Sequence, residues 1–197
     1  YVGVLGSDCS QGVALTLLVD GCYRNHGYCR GTYEGRVCGY FSSDQGVLRV
    51  MPPDSPGGEW RVEKILEGQV GEIAFADIDG DGLEEMMTIE PFHGNSMKIY
   101  KLKEGRYECD FVYPTEVDFA HTLVGAQLNG KPCFVGGVRR VNAELFVIRF
   151  QNGNYEVISV EDGVGPANVA VIHKEGIDYI LSANHTKNEA AIYKVVE

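Results

Sequence analysis

The chain has 197 residues, 44% of them hydrophobic and 23% charged. This is an ordinary globular composition with room for one domain or two small ones. Lys and Arg number 17 against 28 Asp and Glu, a formal charge of −11, which argues against a nucleic-acid backbone or an anionic membrane surface as the main partner. No apolar run approaches the roughly 18 residues of a membrane span, and no signal-peptide pattern is visible. Glycine is the outlier, at 25 residues. Without collagen period or low complexity, that many glycines imply many turns and therefore many short strands.

In chain order, the first β-like segments are Tyr1-Val2-Gly3-Val4-Leu5 and the run Val13 to Val19. The second of these resembles Trp60 to Gly68, which follows 47 residues later. Four further segments share one pattern, a turn with Gly followed by an apolar β-rich run. Their glycines are Gly35, Gly82, Gly130 and Gly176, spaced 47, 48 and 46 residues apart. A matched set of third runs comprises 47–50, 97–100, 145–148 and 191–195. The second unit is predicted to hold strands near 72–77, 84–90, 96–102 and 107–113, and no helix of useful length is evident.

Four short strands per unit of about 47 residues is the signature of a β-propeller blade. The expected fold is therefore all-β, a single β-propeller domain over 1–197. Its repeats fall at about 26–72, 73–120, 121–167 and 168–197, with N-terminal strands in 1–20. The last repeat stops after three strands, so the run Val13 to Val19 is expected to complete it and close a ring of four blades. The alternative is a fifth blade, incomplete at the N-terminus.

One segment carries sharp chemistry. In Asp77-Ile78-Asp79-Gly80-Asp81-Gly82-Leu83-Glu84-Glu85, carboxylates alternate on a tight loop, so that Asp77, Asp79 and Asp81 can converge on one hard cation. The Leu83 carbonyl and Glu85 would complete the set. An EF-hand would need Glu where Thr88 stands. This loop between two strands resembles the cation loop of the FG-GAP/VCBS family of propeller repeats, which reads Asp-x-Asp-x-Asp-Gly-x-x-Asp, with Glu85 in place of the usual last Asp. The flanking runs Ile73 to Ala76 and Met86 to Ile89 are similar to that family's strands. The resemblance implies one structural Ca2+ and a binding or interaction module, since the family includes the adhesive integrin propeller and many bacterial surface proteins. The other three equivalent turns lack the acids, so a single cation site is expected.

Strand alternation places the acidic loop on one face and most histidines on the other. His26 and His121 occupy matching positions before a first strand, and His93 and His185 lie in second-to-third-strand turns. Arg139 and Arg140 occupy the same turn of the third unit. Only His173 falls on the acidic side. His and Arg gathered from different units suit a small anionic or hydroxylated ligand; a protein or glycan is the other partner class. The enzymatic alternative is a small-carbohydrate or organic-acid lyase or isomerase built on the same His/Arg face. Several histidines also open a transition-metal site, although no pair has ligand spacing in the sequence.

Cys9, Cys22, Cys29, Cys38, Cys109 and Cys133 form no CxxC pair and no zinc spacing. They read as free thiols of a cytoplasmic protein. An extracellular or cell-surface setting, with a disulfide among Cys22, Cys29 and Cys38, is the alternative that the calcium loop favours.

Overall fold

A computed structural model describes residues 1–5, 10 and 12–196. Within them the protein is all-β, with no helix. A two-stranded pair, β1 (Val2–Gly3) and β2 (Leu15–Thr16), precedes four antiparallel sheets. The first sheet holds β3 (Tyr28–Tyr33), β4 (Arg36–Ser43), β5 (Gly46–Met51) and β6 (Arg61–Leu66). The second holds β7 (Glu72–Ala76), β8 (Glu85–Glu90), β9 (Ser96–Lys103) and β10 (Arg106–Val112). The third holds β11 (Asp118–Leu128), β12 (Lys131–Arg140), β13 (Leu145–Gln151) and β14 (Asn154–Glu161). The last has three strands, β15 (Pro166–Lys174), β16 (Ile177–Asn184) and β17 (Glu189–Lys194).

Each sheet is a meander whose strands pair in chain order, as tight turns dictate. The glycines at 35, 82, 130 and 176 all lie in the first turn of their sheets and all take positive φ. Glu34, Asn129 and Glu175, which precede three of them, are left-handed as well. Two consecutive left-handed residues define the turn whose twist matches a β-hairpin. The second sheet departs from this, because the acidic loop replaces the two-residue turn.

Consecutive sheets share their cores. Cys38, Tyr40, Val47 and Met51 of the first sheet pack with Ile73, Phe75, Met86 and Tyr100 of the second. Met87, Ile89, Met97 and Ile99 of the second pack with Leu123, Phe134, Phe146 and Ile148 of the third. Cys133, Val135, Leu145 and Val147 of the third pack with Val169 and Ile180 of the last. Middle strands are therefore buried on both sides, which is why β5 and most of β8 are buried at every position and read as continuous apolar runs. The first strands of successive sheets also lie side by side: β3 against β7, β7 against β11, and β11 against β15. Two sheets over one core, the arrangement of a sandwich, do not account for four sheets and three cores.

The N-terminal segment does not complete the last sheet. Leu15 pairs with Gly3 and Thr16 with Val2, whereas among the described residues β17 pairs with β16 alone. Pairing with Val2–Gly3 closes a short local loop, and such closure costs less chain entropy than reaching the far end of the chain. Leu15 and Leu17 remain largely exposed, so little apolar burial favours docking them elsewhere. Cys22, Cys29, Cys38, Cys109 and Cys133 are unbonded thiols, and Cys9 lies outside the described residues. Among the described residues, no helix is long and apolar enough to cross a membrane.

Candidate functional site

The β7–β8 turn holds the acidic loop. One carboxylate oxygen each from Asp77, Asp79 and Glu85 lies within 4.8 Å of the others. Internal hydrogen bonds shape the loop: Gly82 N–H donates to Asp77 Oδ2 (3.1 Å), Asp81 N–H to Asp79 Oδ1 (3.1 Å), and Ile78 N–H to Glu85 Oε2 (2.9 Å). The other Asp77 oxygen, Oδ1, is buried with no hydrogen-bond partner among the described residues. Burial pushes the Glu85 carboxyl up to about 7, and the Asp79 charge adds to this against the Ile78 hydrogen bond.

Two features of the loop were not apparent in the sequence. Asp81 turns back, its Oδ1 accepting from Leu83 N–H at 2.8 Å, and so stands outside the converging set. Lys101 on β9 pairs with Asp79 and lies 3.9 Å from Asp110, placing one ammonium beside the acids. An all-oxygen donor set with an orphaned carboxylate oxygen fits a hard divalent cation, and the Lys101 ammonium is the native competitor for it.

The opposite end gathers histidines from three sheets. The His26 ring lies 5.1 Å from His93 and 6.2 Å from His121, and His93 and His121 are 4.7 Å apart. Phe92 stacks on His93 at 3.9 Å, and Phe119 lies 4.7 Å from the same ring. The guanidinium carbons of Arg139 and Arg140 sit 4.9 Å and 4.8 Å from the Phe119 ring centre, within range of cation–π attraction. Arg140 also pairs with Asp118 at 3.5 Å.

Local backbone devices bring these rings together. His26 precedes β3, where Gly27 is pinned by buried Ser42: the Ser42 Oγ accepts from Gly27 N–H and donates to the Gly71 carbonyl, both at 2.9 Å. Gly71 must be glycine, because a Cβ there would approach Phe92 Cα to 2.8 Å and His93 N to 3.2 Å. His93 sits in the β8–β9 turn with a left-handed φ of 47°. His121 lies inside β11 rather than before it. Ala120 pairs with Val138 and Thr122 with Gly137, which leaves His121 as the extra residue of a β-bulge. Bulges re-aim a side chain and are enriched beside functional sites.

Burial, then the neighbouring His121, His26 and Arg139 charges, push His93 down to about 4. Burial likewise lowers His121, against a hydrogen bond to the Ala167 backbone. His93 Nε2 and His121 Nδ1 are both buried without a hydrogen-bond partner among the described residues. Glu72, at the start of β7, has a carboxylate oxygen 3.5 Å from His26 Nδ1. Sequence reasoning missed Glu72, Phe92 and Phe119, which read there as ordinary strand and turn residues. His185 stays on an exposed turn, its N–H donating to the Gly165 carbonyl at 3.1 Å, and acts on His121 only through charge.

His173 lies apart from the cluster, its Nδ1 2.8 Å from Asp178 Oδ1. Asp178 Oδ2 accepts from Asn129 N–H at 2.6 Å, tying the β11–β12 turn to β16. The hydrogen bond to His173, then that to Asn129, holds Asp178 below its ordinary carboxylate value of 3.8. A depressed carboxylate stabilises the fold above its unfolded pKa, and that stability is lost as pH falls through the folded value. Thermal melts from pH 7 to pH 3 should therefore show Asp178→Asn less stable than the parent at neutral pH, with the gap narrowing in acid.

Two concavities lie away from the His26, His93 and His121 cluster. One of about 670 Å³ is walled by Leu18, Val19, Tyr28, Phe41, Leu48 and Trp60, and another of about 800 Å³ separates β11 from β15 beside His173 and Asp178. No known family model matches the chain, and no curated protein matches it.

Proposed function

We propose that the protein is a ligand-binding module of FG-GAP/VCBS type, its four sheets the blades of a β-propeller and its β7–β8 hairpin braced by Ca2+. The histidine end takes a small anionic or hydroxylated ligand. The convergence of His26, His93 and His121 from three separate sheets, beside Arg139, carries this reading. The side-by-side order of β3, β7, β11 and β15 supports the blade arrangement, since blades meet along their first strands. Ring faces of Phe92 and Phe119 offer apolar contact, while Arg139 and the imidazoles offer donors and charge.

The test is a thermal-shift screen of the purified chain against small carboxylates, phosphates and sugars. At least one of these classes is expected to raise the midpoint, and the rise is expected to disappear in Arg139→Ala and His121→Ala. No response in the unmodified protein, or a response that both variants retain, overturns the reading.

A further inference from the structure

We propose that His26, His93 and His121 form a binding site for a late first-row divalent transition metal of the zinc class, with one coordination position open. This goes beyond the ligand reading above and stands without it. Imidazole nitrogen suits zinc, cobalt, nickel and copper, whereas the all-oxygen loop at the other end suits calcium.

Ring spacing is the first support. Three imidazoles bound tetrahedrally at about 2.0–2.1 Å hold their ring centres about 5 Å apart. The observed separations are 4.7, 5.1 and 6.2 Å. Two of the three ring pairs are thus near that spacing, and His26–His121 is wider. Their nitrogens are not yet gathered as those of the acidic loop are, so ligation asks each ring to turn about its side-chain bonds.

The second support is which nitrogens are engaged elsewhere. His26 Nδ1 faces the Glu72 carboxylate, which leaves Nε2 to carry the lone pair. His121 Nδ1 is buried and unpartnered among the described residues. His93 Nε2 is buried and unpartnered as well. Metal-bound histidines characteristically donate their other nitrogen to a carboxylate or a backbone carbonyl, which fixes the ring and its tautomer. Glu72 stands in that place for His26. An unpaired buried nitrogen is costly, and a metal would satisfy two of them together.

Three protein ligands leave a fourth position, the arrangement of sites that also bind water or a small anion. Arg139, which sits over the Phe119 ring bordering His93, complements an anionic fourth ligand.

Tag-free, metal-stripped protein titrated with Co2+ is expected to develop the intense visible bands of four-coordinate cobalt, saturating at one equivalent, and Zn2+ should bleach them. His93→Gln and His121→Gln should each abolish the bands. Glu72→Gln should keep them while weakening affinity about 10–100-fold. His173→Gln and Asp79→Asn should leave them unchanged. Cobalt that keeps the pale spectrum of the hydrated ion in the unmodified protein overturns the proposal whatever the variants do. Bands that survive in both His93→Gln and His121→Gln overturn it too. If Co2+ fails while carboxylates or phosphates still shift the melt, the metal site falls and the ligand reading stands.

Discussion

Adding calcium to metal-stripped protein is expected to raise the thermal midpoint by about 5–10 °C, the shift that a ligand at 100 times its Kd gives a domain of this size. Chelator should reverse it. The energy source is the repulsion among Asp77, Asp79 and Glu85, whose oxygens crowd within 4.8 Å. Asp77 Oδ1 is buried without a partner among the described residues, and burial holds the Glu85 carboxyl up to about 7. A divalent cation neutralises all three at once, and Lys101, already paired with Asp79, would yield its place. Asp77→Asn and Asp79→Asn should each abolish the response. Magnesium should give less, because it demands near-ideal octahedral geometry and sheds water reluctantly. A calorimetric melt that is identical with calcium and with chelator would sink the claim.

The second large effect concerns the seam between sheets. Gly125 on β11 lies against the neighbouring sheet so closely that a Cβ would stand 1.9 Å from the Phe75 carbonyl oxygen and 2.8 Å from its carbon. Backbone cannot swing aside as a side chain can, so β7 and β11 would have to separate. That separation would open the core where Ala74, Met87 and Leu123 meet. Gly125→Val should therefore cost about 3 kcal/mol or more, at or beyond the upper end of ordinary overpacking. Chemical denaturation with Gly105→Val as the comparison checks it, because a Cβ at Gly105 meets nothing within 4 Å. Gly105 takes a φ of 81°, so its valine variant reports turn strain alone. Gly125 is not left-handed, so a loss there well below about 3 kcal/mol would overturn the seam argument.

Much of the secondary structure was legible from spacing. Strands expected near 72–77, 84–90, 96–102 and 107–113 form at Glu72–Ala76, Glu85–Glu90, Ser96–Lys103 and Arg106–Val112. Turn glycines and apolar runs are local signals, and each sheet is built from local hairpins. The expectation that Val13 to Val19 completes the last sheet failed, because its partner is the nearby Val2–Gly3, chosen by chain proximity, which strand propensity does not report. At the candidate site, the gathering of His26, His93 and His121 followed from which turns share an end. His185 has the same turn position yet stays out of the ring cluster, since loop shape decides the last few ångströms. Glu72 and the Phe119 ring were invisible because their roles come from pairing across sheets. Asp81 and Lys101 show the same limit in the acidic loop: spacing gives the alternation of carboxylates, whereas the backbone decides which of them turn inward.

The bulge in β11 has a consequence for how freely this end of the molecule can vary. Ala120 and Thr122 pair with the consecutive residues Val138 and Gly137, so the residue between them is surplus to the sheet's alternation. Exchanging the side chain at 121 alters its ring contacts with His93 and Phe119, whereas deleting the position would restore regular pairing and leave the other residues of the strand on their own faces. Position 121 thus works as a socket in a fixed frame, where new chemistry can be installed by substitution and removed without disturbing the scaffold.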